Sequence, residues 1–271
     1  MEYPKEFKSL IELTKGETRS ELIGVGNPTS NILFIGKEPA IPKEKECQRK
    51  LEIEENCTQW ELNYYQKIGF NNIPSMCEEG YEYNPLFPYK GQKRTVYIEK
   101  IVDDKIIPIR GKGGTSRTWY QYQKLWDLIN EGENASHSNI IDYHEHCFST
   151  ELSSANEKYS YLVNSIDCNM SIENRRELLC HPFYQRFPIV ILAVGHYPKE
   201  HGIDIESIFH TKWEEPTRVV GRFWYNVHNS LTNNPKLVIH TNQLSMVSND
   251  LLKEIANRCV EFKNHYKISL T

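Results

Sequence analysis

Four short stretches of the chain hold residue types that could do chemistry. Glu38 follows the apolar run Asn31-Ile-Leu-Phe-Ile-Gly36 and precedes Pro39. A carboxylate at a strand's end, close to helix N-termini, can orient a water or stabilise developing positive charge. The competing reading is a helix-start acid or an exposed loop residue. His240 closes the run Lys236-Leu-Val-Ile-His240 and opens a polar loop. A neutral imidazole there can donate to a developing oxyanion, and the alternative is a satisfied structural histidine. The loop Gly111-Lys-Gly-Gly-Thr-Ser-Arg117, with Arg110 before it, offers backbone N–H groups, a helix N-terminus and cationic side chains. Those are the parts of a phosphate-binding element, although the Lys-Ser/Thr ending of a Walker A loop is absent and a plain loop is the competing reading. Asp142-Tyr-His-Glu-His-Cys147 contains metal-ligand types. On a strand His144 and His146 would share a face, but nothing supplies a third ligand, so no metal is expected.

The elements that must position these residues follow from hydrophobic periodicity. Residues 31–36, 139–148, 189–195 and 236–240 read as strands buried on both faces. A helix is expected early in residues 1–25, another at Trp119–Ile129 capped by Thr115 or Ser116, a third near 173–181 and a fourth at Ser248–Cys259. Alternating strands and helices imply a mainly parallel sheet covered on both sides, with ligands at the carboxyl ends of the strands. Those ends carry Gly36-Lys37-Glu38-Pro39, Phe148-Ser149-Thr150-Glu151, Gly195-His196 and His240 with the loop after it. Arg94–Val102 and Lys105–Arg110 flank Asp103-Asp104 as a hairpin, within residues 41–110 that read as an insertion into a single α/β domain.

Composition narrows the class. The chain has 271 residues, a net charge of −4, 39% hydrophobic and 11% aromatic residues, which suits a folded globular protein and excludes disordered and collagen-like chains. The balance shows no excess basicity of the kind that marks generic nucleic-acid binding, though a local basic groove is compatible with it. No apolar run is long enough to span a bilayer and no apolar leader follows the acidic, polar start, so a cytoplasmic protein is expected. Seven scattered cysteines without a C-x-x-C pair argue for reduced structural thiols.

The segment Gly24-Val-Gly-Asn-Pro-Thr-Ser-Asn-Ile-Leu-Phe-Ile-Gly-Lys-Glu-Pro-Ala40 resembles the first signature of the uracil-DNA glycosylase superfamily, in which a strand ends in a Gly-x-x-Pro turn carrying the water-activating residue. His240-Thr-Asn-Gln-Leu-Ser245 is similar to the second signature, with Thr241 and Gln243 in place of its prolines. The resemblance is nearest to the bacterial and archaeal branch, without the iron–sulfur cluster, since no cysteine precedes Cys47. It implies a three-layer sandwich with a central four-stranded parallel sheet, helices on both faces and no cofactor. It also implies extrusion of a nucleotide from DNA into a pocket at the strand ends.

On that resemblance Glu38 orients the attacking water and His240 stabilises the leaving base. Gly36, Lys37, Pro39, Ala40, Phe148, Ser149, Thr150 and Glu151 form the base pocket. Arg110, Lys112, Gly113, Gly114, Ser116, Arg117 and Ser245 contact DNA, and Leu244 fills the vacated stack. Ser149, Thr150 or Glu151 stands where many members read uracil with Asn, so the base is left open. The expected activity is cleavage of the N-glycosidic bond of a damaged or deaminated base flipped out of DNA. The alternatives are a non-catalytic nucleic-acid- or nucleotide-binding module of the same fold, and a hydrolase of unrelated substrate. A basic groove and a shared pocket for Glu38 and His240 would favour the glycosylase.

Overall fold

The computed structural model describes residues 1–17, 22–102, 105–110, 114–132, 139–231 and 234–270. Its strands in chain order are β1 (Val25–Gly26), β2 (Ile32–Gly36), β3 (Tyr97–Val102), β4 (Lys105–Arg110), β5 (Phe148–Glu151), β6 (Ile189–Leu192), β7 (Thr211–Val220), β8 (Phe223–Ser230) and β9 (Leu237–Thr241). The helices are α1 (Lys5–Glu17), α2 (Glu46–Arg49), α3 (Asn56–Gln66), α4 (Arg117–Glu131), α5 (Ser165–Leu179), α6 (Pro182–Gln185), α7 (Tyr197–Glu200), α8 (Ile205–Phe209) and α9 (Asn249–Tyr266). None of the described helices is long and apolar enough to cross a membrane.

Strands β5, β2, β6 and β9 are mutually parallel, and β2, β6 and β9 are buried at every position. Alternate residues feed two cores, as the period of a strand requires. Leu33, Ile35, Val190, Leu192 and Val238 pack with Phe7 of α1, Trp60 of α3, Ile172 of α5 and Phe183 of α6. Ile32, Phe34, Ile189, Ile191 and Ile239 pack with Tyr122 and Trp126 of α4 and with Leu251 and Ile255 of α9.

The expected four-stranded parallel sheet is the centre of a seven-stranded mixed one, ordered β1-β5-β2-β6-β9-β8-β7. β1 pairs antiparallel with β5 at one side, and the β7–β8 hairpin adds two antiparallel strands beyond β9. A bare parallel core would leave unpaired N–H and C=O groups along both edges, and these additions cover them. The hairpin is hard to read from sequence. Pro216 has no N–H for a ladder, the register shifts between Glu214 and Arg218, and β7 is largely exposed instead of forming an apolar run.

The strand expected at 139–148 is confined to Phe148–Glu151. Upstream, the Gln123 side-chain oxygen accepts from the backbone N–H of both Asp142 and Tyr143, each at 2.8 Å, and Tyr143–Glu145 forms a 3-10 turn. His144 and His146 therefore do not alternate along a strand. His146 stacks on Trp126 with ring centroids 4.6 Å apart, and His144 is buried edge-on to Trp119.

Much of the region read as an insertion is built into the main core. Trp60 is buried and donates to the Gly24 carbonyl at 2.7 Å, while the Asn56 side chain accepts from the N–H groups of Ile23 and Gly24. The hairpin forms with a shorter first strand than the expected Arg94–Val102: β3 starts at Tyr97, and β3 and β4 make a separate two-stranded sheet with Ile101 opposite Ile106. Its turn, Asp103-Asp104, lies outside the described residues.

Candidate active site at the carboxyl ends of the parallel strands

β2 and β5 end side by side, with Gly36 in register with Glu151. A side chain on Gly36 would collide with the Glu151 carboxyl, so glycine is what lets that carboxyl lie against the neighbouring strand. Behind it, Arg175 of α5 is fully buried. Its guanidinium donates to the Glu151 backbone carbonyl at 2.8 Å, to the Thr150 hydroxyl at 2.7 Å and to the Leu22 carbonyl. Arg175 thus fixes the main chain at the strand end. Burial, reinforced by the nearby Glu38 charge and opposed by Arg175, pushes the Glu151 carboxyl up to about 8. At neutral pH it holds its proton and can donate it.

Glu38 stands two residues beyond β2 and is nearly buried. The Tyr197 hydroxyl, at the start of α7, donates to Glu38 Oε2 at 2.7 Å. Burial and this bond raise the Tyr197 phenol far above its ordinary value, which keeps it a donor. The Lys37 ammonium sits 4.2 Å from the Tyr197 ring centroid.

Glu38 and Glu151 line one cavity of about 560 Å³. Tyr83, Tyr89, Trp119 and Tyr122 give it aromatic walls, and Gln92 and Gln243 add amides. Tyr122 is held flat by Phe34 at 4.4 Å between centroids. A third acid, Glu52, also lines it, accepting from Gln48 at 2.7 Å and from the Tyr89 hydroxyl. Burial pushes Glu52 above the usual carboxylate range.

The cavity gathers most of the residues expected in the base pocket: Gly36, Lys37, Pro39, Ala40, Ser149, Thr150 and Glu151 lie on it with Glu38. Phe148 does not. It starts its strand instead of ending it, and it packs against Phe7, Trp60 and Phe183. Of the residues expected to meet DNA, Gly114 and Ser116 reach the cavity and Arg117 is exposed on the first turn of α4. Ser116 is the α4 N-cap, accepting from the Trp119 N–H at 3.2 Å. Arg110 closes β4 opposite Tyr97. The Arg110 side chain, Lys112 and Gly113 lie outside the described residues.

The second signature is arranged differently from expectation. His240 is buried and its Nε2–H donates to the Gly195 carbonyl at 2.7 Å, with the ring edge-on to Trp224 at 4.9 Å. Burial lowers it to about 4, so it is neutral, but that ring proton is already taken. His240 does not line the cavity; Gln243, three residues on, does. Leu244 is not a surface wedge: it is wholly buried against α4 and α9 in the turn Leu244–Met246. Ser245 is half-buried and Met246 is the exposed apolar residue there.

Sequence reasoning did not pick out Tyr197, Arg175, Glu52 or Tyr89. Tyr197 lies two residues past the strand-end Gly195, so its position was a usable signal. Arg175 and Glu52 sit in helical segments distant in sequence from Glu151 and Glu38, and nothing local marks them. Comparison with protein families, curated proteins and solved structures finds no match to this chain.

Proposed function

We propose that the chain hydrolyses the N-glycosidic bond of a base presented from DNA, with the base seated in the cavity between β2, β5 and α4. The observation that carries this reading is the placement of Glu38 and Glu151 on one cavity at the ends of adjacent parallel strands, where burial raises the Glu151 carboxyl. Glycoside cleavage needs a carboxylate to hold water and stabilise the cationic sugar, and an acid to serve the leaving group. Glu38, oriented by the Tyr197 hydroxyl, suits the first role. Glu151 suits the second, in place of His240, whose Nε2 proton is committed to Gly195. The aromatic walls suit a flat heterocycle, and about 560 Å³ is a volume typical of small-molecule sites. The parallel order β5-β2-β6-β9 and the cores on its two faces support the finer fold reading, a three-layer sandwich of the glycosylase type.

The test is a gel assay of base release from single- and double-stranded oligonucleotides carrying uracil, hypoxanthine, xanthine or a mismatched thymine. The wild type should release at least one of these bases. Glu38→Gln and Glu151→Gln should each slow release by about 10²–10³-fold while binding is retained. No release from any substrate overturns the catalytic reading. The sequestered His240 proton favours one second reading, a binding module of the same fold, in which the same substitutions alter affinity alone.

A further inference from the structure

Tyr122 carries a hydroxyl that the fold does not use. The residue lies on α4, is 2% exposed and lines the cavity. Its ring is fixed on two sides. It lies parallel to Phe34, with centroids 4.4 Å apart and planes at 12°, and edge-on to Tyr143 at 5.8 Å. A phenylalanine would fill the same place. The hydroxyl has no hydrogen-bond partner among the described residues. The Tyr143 hydroxyl beside it is sealed inside the protein, whereas that of Tyr122 is not. Its partner must therefore come from what enters the cavity.

Strand geometry sets Tyr122 beside the acid of the site. Phe34 and Gly36 are two residues apart on β2 and project to one face. Tyr122 stacks on the first, and the Glu151 carboxyl lies over the second, where a side chain on Gly36 would strike it. Tyr122 and Glu151 thus share the α4 face at the carboxyl end of the sheet. Burial, with the Glu151 charge adding to it, raises the Tyr122 phenol far above its ordinary value. The phenol keeps its proton and acts as a fixed donor.

We propose that Tyr122 is a further catalytic residue, whose hydroxyl donates a hydrogen bond to the base as it leaves. The proposal rests on the reading of the cavity as a glycosylase site, and it supplies the donor that His240 does not, since the His240 Nε2–H is held by the Gly195 carbonyl. As the glycosidic C–N bond breaks, its electron pair goes to the base. The Tyr122 O–H holds that negative charge without giving up its proton, and Glu151 delivers a proton to the base. The water on Glu38 adds its oxygen to the sugar carbon and loses a proton to Glu38. Exchange with solvent then restores both carboxyls. A preorganised donor of this kind acts where charge develops and not on the resting substrate.

The test compares base release by wild type and Tyr122→Phe on the same oligonucleotides, alongside thermal unfolding. The substitution removes one oxygen and keeps the stack on Phe34. The kcat should fall by about 10²–10³-fold with KM within about twofold of wild type, the pattern of an interaction made in the transition state. The melting temperature should not fall, because the hydroxyl bonds to nothing in the protein. The decline in rate through about pH 8 set by Glu151 should persist in Tyr122→Phe. A Tyr122 acting only through Glu151 would shift that limb. Wild-type turnover in Tyr122→Phe overturns the role and leaves the glycosylase reading standing. A rate loss matched by lost thermal stability, by a raised KM alone or by a shifted limb also overturns it, making the residue structural. A wild type that releases no base removes the glycosylase reading, and this role with it.

Discussion

Burial is what chiefly raises the Glu151 carboxyl, and two residues on another segment set that environment. Gly36 lets the carboxyl lie against β2, and Glu38 adds a like charge beside it. Gly36→Ala should therefore displace the Glu151 side chain, cost about 1–3 kcal/mol of stability as an overpacked site, and abolish base release. Denaturant unfolding and the gel assay measure the two effects; wild-type values in both would mean Glu151 lies elsewhere. If Glu151 is the acid, release should fall as pH rises through about 8, and Glu151→Gln should lose that limb of the profile. Leu244 makes the opposite point. As a buried core residue its truncation to Ala should cost about 2–5 kcal/mol and weaken activity on single- and double-stranded substrate alike. Selective loss on the duplex with unchanged stability would restore it as a wedge.

At the scale of elements, helix starts divide between structure and site. Ser248 caps α9, accepting from the Leu251 N–H at 3.3 Å, and does not line the cavity. Ser116 caps α4 and does line it. Each Ser→Ala change should cost about 1 kcal/mol. Ser248→Ala should leave base release unchanged once the protein is folded, and Ser116→Ala should lower it. Thermal unfolding alongside turnover separates the two, and equal turnover in both variants would detach the α4 start from function.

The whole molecule sums its buried titrating groups into one pH profile. His144 and His240 are lowered from 6.5 to about 3 and about 4, so below pH 6.5 the unfolded chain binds protons the folded chain refuses, and stability rises with pH there. Glu151 works in reverse. Raised from 4.5 to about 8, it keeps a proton in the fold that the unfolded chain releases, so its contribution falls as pH climbs from 4.5 to 8. Glu52 is shifted in the same sense. The terms oppose one another up to pH 6.5; above it the carboxyl term remains until, from about pH 8, the buried Lys236, lowered from 10.5 to about 8, adds a term that rises with pH. Stability should then decline toward pH 8 by at most about 1.4 kcal/mol per pH unit for one group. Urea titrations between pH 5.5 and 8.5 would show it, with Glu151→Gln flattening the decline. A wild type that grows more stable from pH 6.5 to 8 would contradict the assignment.

Local pattern was enough for the elements whose physics is local. Ile32–Gly36, Ile189–Leu192 and the first three residues of Leu237–Thr241 are apolar runs because both faces are covered, and that continuity is visible in one dimension. Thr115 or Ser116, of which Ser116 is the cap, and Ser248 announce helices by the hydrogen bonds their side chains can make within a turn, and the β3–β4 pairing follows from sequence alternation. Glu38 is placed at the strand end by its distance from Gly36 alone. The tertiary structure decided what depends on distant partners. Gln123 turned residues 142–147 away from a strand, and the antiparallel β7–β8 hairpin completed the sheet's open edge. The Gly195 carbonyl accepts the Nε2–H of His240, and burial on the cavity wall with Glu38 nearby raises the Glu151 carboxyl. Periodicity records which face of an element is buried, but a proton's location is set by the charges and carbonyls within a few ångströms, and here those come from residues more than forty and in places more than a hundred positions away.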